Sequence, residues 1–278
     1  MGDEAALLAQ ITELVALGTT GRGPSGLCRP RLWADALDIV SGAARVAVVS
    51  GFYVPAADAP ETDGPLGSLT LARALLRCGK ETEVWTDTRC LSCFHACGEA
   101  LRFPREGIVD VSAPGVSRPL PDLLIYLERL GRAQDGRYYN MRGEDISEWT
   151  PPLDAFALTG GVPVVAVGDG GNEVGMGNYR EELSRLMPDY RACLCCIEAD
   201  VCIPVDVSNW GGYALSALLS ARVGTWLGQT AEEERAMLRA LCDCGVVDGR
   251  TRACAMSVDG LPLEEHLRVR DALEHLVT

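Results

Sequence analysis

Hydrophobic positions along the chain follow two spacings. Between residues 3 and 17, Leu7, Leu8, Ile11, Leu14, Val15 and Leu17 recur at the period of one helix face, as do Leu66, Leu69, Ala72, Leu75 and Leu76 further on. Helices are predicted over 30–39, 90–97, 154–158, 181–187, 213–223, 231–244 and 262–277 as well. Between them lie short apolar runs at 45–54, 83–87, 107–112, 122–129 and 164–168, with little polar alternation. Runs of that kind suit strands buried on both faces of a parallel sheet. Residues 193–200 read as a further edge or buried strand, with 201–205 as its extension. The alternation predicts an α/β fold with three layers, a largely parallel sheet having helices on both faces. No Pro- or Ser-rich linker or fixed repeat divides the 278 residues, so a single domain over 1–278 is expected.

Polar punctuation sharpens the ends of these elements. Thr230 with Glu233 forms a capping box, and Asp63 ahead of Pro65 reads as the N-cap of the helix that Gly79 ends. Asp248-Gly249 and Asp259-Gly260 bracket a hairpin-like segment. The run at 164–168 breaks into Asp169-Gly170-Gly171-Asn172-Glu173-Val174-Gly175-Met176-Gly177. Open α/β sheets bind ligands beyond the carboxyl ends of their strands, so this acidic glycine loop is the leading candidate site. Glu61-Thr62-Asp63 holds the equivalent place after an earlier strand. Together Glu61, Asp63, Asp169 and Glu173 would supply the carboxylates of a hard-cation site for Mg²⁺ or Mn²⁺; as plain structure, Asp63 is only a cap.

Three other stretches could meet an anion. The loop from Gly131 to Gly143 carries Arg132, Arg137, Tyr138, Tyr139, Asn140 and Arg142, and reads equally as a seat for an acidic substrate or a solvated turn. Ser208-Asn209-Trp210-Gly211-Gly212 opens a helix whose free N–H groups and dipole favour negative charge. The glycine-rich loop around Arg22 is either a plain connection or an anion cradle.

Composition excludes more than it assigns. A net charge of −14 argues against nucleic acid or an anionic membrane as partner. The start lacks a secretory pattern and no apolar run reaches membrane length, so the cytoplasm is the expected compartment. The 12 cysteines are then expected to be reduced, mostly buried thiols; Cys90, Cys93 and Cys97 share one helix face with His95 off it, and no matching second cluster completes a zinc site. Lys80 is the sole lysine and sits at a helix-to-strand junction, which disfavours a pyridoxal Schiff base, a Walker lysine or a lysine aldolase. Glu173 stands where a dinucleotide fingerprint needs its third glycine, and its charge would repel a pyrophosphate. With three histidines, two of them on opposite faces of the last helix, a Ser-His-Asp triad is disfavoured. Carboxylate chemistry aided by a divalent metal remains, with no nucleotide, pyridoxal phosphate or haem expected.

Several blocks in order carry a family resemblance. They are Gly51-Phe52 through Pro55, Glu61-Thr62-Asp63-Gly64-Pro65-Leu66-Gly67, Gly131-Arg132-Ala133 with Asp135-Gly136-Arg137-Tyr138-Tyr139-Asn140-Met141-Arg142, the ten-residue loop Gly168 to Gly177, Ser208-Asn209-Trp210-Gly211-Gly212-Tyr213, and Asp259-Gly260-Leu261-Pro262. With them the chain resembles the D-glutamate cyclase-like C-terminal domain family. In the two-domain relatives this region follows a separate N-terminal domain. The resemblance implies a lyase that closes D-glutamate to 5-oxo-D-proline with loss of water, hence a small acidic substrate; a homo-oligomer is compatible with it. Asp169 or Glu173 would then serve as base, with Asn172 beside them. Arg22, Arg132 or Arg142 would hold the α-carboxylate, and Tyr138, Asn140, Ser208, Asn209, Trp210 and Gly211 would complete the substrate contacts. Two alternatives stay open: a Mg²⁺- or Mn²⁺-dependent hydrolase or phosphatase on a small acid, and a non-catalytic module that binds such an acid or a partner.

Overall fold

The computed structural model describes residues 2–18 and 23–278. Six strands form the main sheet: β1 (Arg45–Ser50), β2 (Glu81–Thr86), β3 (Ile108–Asp110), β4 (Leu123–Leu127), β5 (Val164–Gly168) and β6 (Val201–Pro204). All pairings are parallel, and the spatial order is β3-β2-β1-β4-β5-β6. The chain therefore builds outward from β1 on one side, then returns past it to build outward through β4 on the other. Connections leaving β1 and β4 diverge to opposite sides, which opens a crevice at their carboxyl ends.

Eight α-helices accompany the sheet among the described residues: α1 (Gly2–Val15), α2 (Pro30–Gly42), α3 (Pro65–Arg77), α4 (Leu91–Leu101), α5 (Arg180–Leu186), α6 (Ser208–Val223), α7 (Ala231–Asp243) and α8 (Leu263–Val277). Strand side chains alternate between two cores, as the period of two requires. Val46 and Val48 join the side chains of α1–α4 and α6–α8, whereas Ala47 and Val49 face the other way. Both faces are covered, as a three-layer α/β fold demands, but unequally. The second face is closed by α5, a 3₁₀ turn at Leu153–Leu158 where an α-helix was expected, and the loops carrying Val174, Met176, Leu194 and Ile197.

The expected strand at 193–200 does not form; β6 begins at Val201. The apolar residues there are buried, but their backbone pairs with loops instead of a strand: Cys195 donates to the Gly171 carbonyl at 3.0 Å, and Ile197 accepts from Gly175 and Gly177 at 3.0 and 3.1 Å. Burial alone does not distinguish these two arrangements. The bracketed segment at 248–260 likewise closes on only a two-residue antiparallel pair, Ser257–Val258 with Leu261–Pro262. Its organiser is Asp248, whose carboxylate accepts from the N–H groups of Arg250, Thr251 and Gly260 and from the Ser257 hydroxyl. Cys90, Cys93 and Cys97 are buried core thiols, and Lys80 donates to the Ala43 carbonyl at the opposite end of the sheet from the crevice.

Candidate active site

The end of β1 turns at Gly51 and runs to Glu61-Thr62-Asp63, and α3 follows. Asp63 does not cap α3; that position belongs to Gly64. Gly64 holds φ +104, and a Cβ there would lie 2.9 Å from Ser50 Oγ and 3.2 Å from Glu128 Cβ. With its chain turned this way, Asp63 reaches across to the start of α6, where its carboxylate accepts from Ser208 N at 2.9 Å and Asn209 N at 2.8 Å. Asn209 returns the contact: its Oδ1 accepts from Gly64 N at 3.0 Å and Gly67 N at 2.7 Å, and its Nδ2 donates to the Thr62 carbonyl. The two helices cap one another. The helix start expected to receive a substrate anion is thus occupied by Asp63, and Asn209 is wholly buried in the exchange.

Two further residues of that helix start also turn away from the crevice. Trp210 is fully buried with its indole N–H on His266 Nδ1 at 2.9 Å, and a Cβ at Gly211 would lie 2.3 Å from Val167 Cγ1. Ser208 faces inward, its hydroxyl donating to Glu128 Oε2 at 2.5 Å.

Glu128, absent from the candidates above, is central. It is the first residue after β4, as Asp169 is the first after β5. The same strand-end rule that marked Asp169 also points to it. Its φ of +48 is unusual for a residue with a side chain, and such backbone strain concentrates at functional sites. The twist is held by Gly51 N, which donates to the Glu128 carbonyl, and by Glu128 N, which donates to Val167. Next to it, Arg129 is buried and pairs with Asp87 at 2.5 Å while donating to the Gly51 and Pro151 carbonyls.

Asp63, Glu128 and Asp169, all buried, bring carboxylate oxygens within 4.8 Å of one another. Burial pushes the Glu128 carboxyl well above the ordinary carboxylate range, helped by the charges of Glu173, Asp63 and Glu61. Burial, then the charge of Asp259, pushes Asp63 up to about 7, against the lowering from the Asn209 and Ser208 N–H groups and a hydrogen bond with Asp169. Crowding and burial of this kind favour the protonated form of a carboxyl, and a bound cation would favour the charged form instead. The donor set also suits a hard divalent ion. Among the described residues, Glu61 and Glu173 stand outside this group of three.

Glu173 has a local task. Its Oε1 accepts from Asp169 N at 3.0 Å and Gly170 N at 2.6 Å, and its Oε2 from Gly171 N at 2.7 Å. The glycine loop is thus a nest that encloses its own carboxylate instead of a ligand's phosphate. Asn172 donates to the Tyr139 carbonyl at 2.8 Å and ties the loop to the arginine-tyrosine segment.

These elements wall a cleft of about 450 Å³ at the β1/β4 divergence, lined by Glu61, Glu128, Asp169, Asn172 and Glu173 among others. From the loop after β4 come Asn140, Met141 and Arg142; from the 248–260 segment come Gly249, Arg250 and Asp259. Asn140 shapes its turn by accepting from the N–H groups of Arg142 and Glu144. Arg142 donates to the Arg250 carbonyl at 3.0 Å, so the two arginines stand on adjoining walls. Arg132 and Tyr138 are instead engaged with the buried Asp154: Arg132 Nε and Nη2 bond it at 2.7 and 3.0 Å, and the Tyr138 hydroxyl at 2.6 Å. Arg22 lies outside the described residues. Arg250 carries no signal in the sequence, and Asp259, though part of a block that carries the family resemblance, has no local spacing that places it in the cleft, since their segment is far along the chain from the strands whose ends form it.

The D-glutamate cyclase-like, C-terminal family model matches residues 11–274. The human mitochondrial D-glutamate cyclase is 29% identical over 306 aligned positions, which cover 92% of this chain. Those positions are 49% of the human protein, so the chain spans about half the length of that relative. No helix among the described residues is long and apolar enough to cross a membrane. With its sheet, its acidic crevice and a match running nearly end to end, the chain belongs to the D-glutamate cyclase-like C-terminal family.

Proposed function

We propose that this chain is a D-glutamate cyclase-like lyase that closes a small acidic amino acid, D-glutamate in the first instance, to its lactam with release of water. The observation that carries the reading is the meeting of three buried carboxyls, Asp63, Glu128 and Asp169, at a cleft that Arg142 and Arg250 also line. In the reaction the amine nitrogen attacks the γ-carboxyl carbon, one C–N bond forms and one C–O bond breaks. The two protons lost by the ammonium leave with the γ-oxygen as water, so the site must take up and return protons without net change. Glu128, held protonated by burial and aimed by Ser208, delivers a proton to the γ-carboxyl oxygen, removing the charge that would repel the amine. Asp169, beside it and hydrogen-bonded to Asp63, receives the ammonium proton. Arg142 and Arg250 hold the α-carboxylate at the cleft mouth. Glu173 and Asn172 keep the loop in shape. A Mg²⁺ or Mn²⁺ ion, if bound, would take oxygens of Asp63, Glu128 and Asp169 and supply Lewis-acid neutralisation of the γ-carboxylate.

The test is chiral chromatography of the products from D- and L-glutamate, with the wild-type chain, Glu128→Gln and Asp169→Asn, each before and after chelation. The reading expects 5-oxo-D-proline from the wild type and a fall of at least 10²-fold in both variants, the range of a lost general acid or base. Calorimetric binding of D-glutamate with no product from the wild type would make the chain a binding module instead.

A further inference from the structure

Three of the cysteines outside the core, Cys242, Cys244 and Cys254, lie at the end of α7 and on the segment that follows it. Cys242 lies half-buried near the end of α7, and Cys254 is exposed on the segment that follows. Cys254 Sγ donates to the Cys242 carbonyl at 3.1 Å, and Cys242 Sγ donates to the Ala255 carbonyl at 3.1 Å. Cys254 is also close enough for its side chain to act on the Cys242 thiol, raising it. Cys254 Sγ thus rests against the backbone of Cys242, and Cys242 Sγ against that of Ala255, the residue after Cys254, which brings the two side chains alongside one another.

The intervening segment matters to the site. At its cleft end it presents Gly249 and Arg250, and Asp259 follows a few residues beyond Cys254. There it is pinned to the acidic loop, Val247 N donating to the Pro60 carbonyl and Thr62 N to the Val247 carbonyl, while Asp248 gathers its turn. The thiol pair stands at the other end.

We propose that Cys242 and Cys254 are a modification site: a dithiol that a small disulfide such as oxidised glutathione converts to an intramolecular disulfide, clasping the segment that carries Arg250. In the first step the Cys254 thiolate attacks the glutathione disulfide and expels one glutathione thiolate, leaving a mixed disulfide on Cys254. Cys242 then attacks the Cys254 sulfur and expels the second glutathione. Two protein thiols and one oxidised glutathione become one protein disulfide and two reduced glutathiones, so atoms and electrons balance. The order follows from access. Cys254 is exposed, whereas burial, with Cys254 adding to it, pushes the Cys242 thiol up to about 11 and leaves it little thiolate until it is held against its target. The exposed Cys244 at the end of α7 takes no part.

The experiment uses the full chain incubated with oxidised glutathione, intact-mass measurement, non-reducing peptide mapping and amide hydrogen exchange. The expected product is lighter by two hydrogens, contains a Cys242–Cys254 cross-linked peptide, reverts with dithiothreitol and exchanges more slowly over 246–260. Cys244→Ser still forms it; Cys254→Ser does not. A stable glutathione adduct on Cys254, a disulfide through Cys244, or an unchanged mass would each overturn the proposal, whether or not the chain cyclises D-glutamate.

Discussion

Asn209→Ala separates a helix-capping role from a ligand contact at the start of α6. The side chain's Oδ1 serves Gly64 N and Gly67 N, and its Nδ2 serves the Thr62 carbonyl, all in a buried setting. Gly64 N keeps a second acceptor, Asp63 Oδ1 at 3.0 Å. The substitution therefore strips Gly67 N and the Thr62 carbonyl of the partner they have in Asn209. At about 1–3 kcal/mol for each buried group left unpaired, the loss is roughly 2–6 kcal/mol. For a chain of 278 residues, with an unfolding entropy of about 2 cal/mol/K per residue, that is a fall in Tm of roughly 3–10 °C. Urea unfolding followed by fluorescence and circular dichroism should show the midpoint displaced and the slope unchanged. Asn209→Asp keeps the acceptor for the glycine N–H groups but loses the donor to Thr62, so it should fall between the two. A wild-type midpoint for Asn209→Ala would refute the reciprocal cap; a wild-type midpoint together with lost D-glutamate binding would return Asn209 to the ligand.

Three other outcomes are expected. Glu234 is wholly buried, and burial pushes its carboxyl up to about 7, opposed by hydrogen bonds from Gln229 and Tyr213 and by the charge of Arg270. The folded state binds this proton more tightly than the unfolded chain. Its stabilisation is therefore complete below about pH 4.5 and disappears as pH rises through 7, a change of about 3 kcal/mol; Glu234→Gln should lack this component when urea midpoints at pH 5 and pH 8 are compared. Arg129→Met leaves Asp87 buried without its guanidinium and should cost about 3–5 kcal/mol by the same unfolding measurement. Gly211→Ala forces a methyl onto Val167 and should cost about 1–3 kcal/mol, with Val167→Ala relieving part of it in a double-mutant cycle; strict additivity would show that the helix shifts freely.

How much could be read in advance differs from element to element. The parallel strands were legible because their central residues are buried on both faces and run as apolar stretches, most completely in β4 and β5, and the capping box at Thr230 and Glu233 formed as its spacing predicts. Residues 193–200 were misread because burial makes a loop as apolar as a strand. Asp63 reads locally as the cap of α3 but serves the start of α6, since a cap across elements leaves no local spacing to recognise. Glu173 was read as facing a ligand, whereas three N–H groups of its own loop satisfy it. Glu128 could have been found by applying the strand-end rule to β4 as well as β5.

The sequence by itself determined the alternation of strands and helices and the acidic character of the loops at the strand ends, because these depend on residue type and short-range spacing. Tertiary structure alone decided that β1 lies beside β4, that Asp63, Glu128 and Asp169 meet, and that Arg250 and Asp259 come to the same cleft from a segment near the end of the chain. The physical reason is that strand order and helix-to-helix capping are set by which buried surfaces and N–H groups satisfy one another across the whole molecule, and no window of neighbouring residues contains that information.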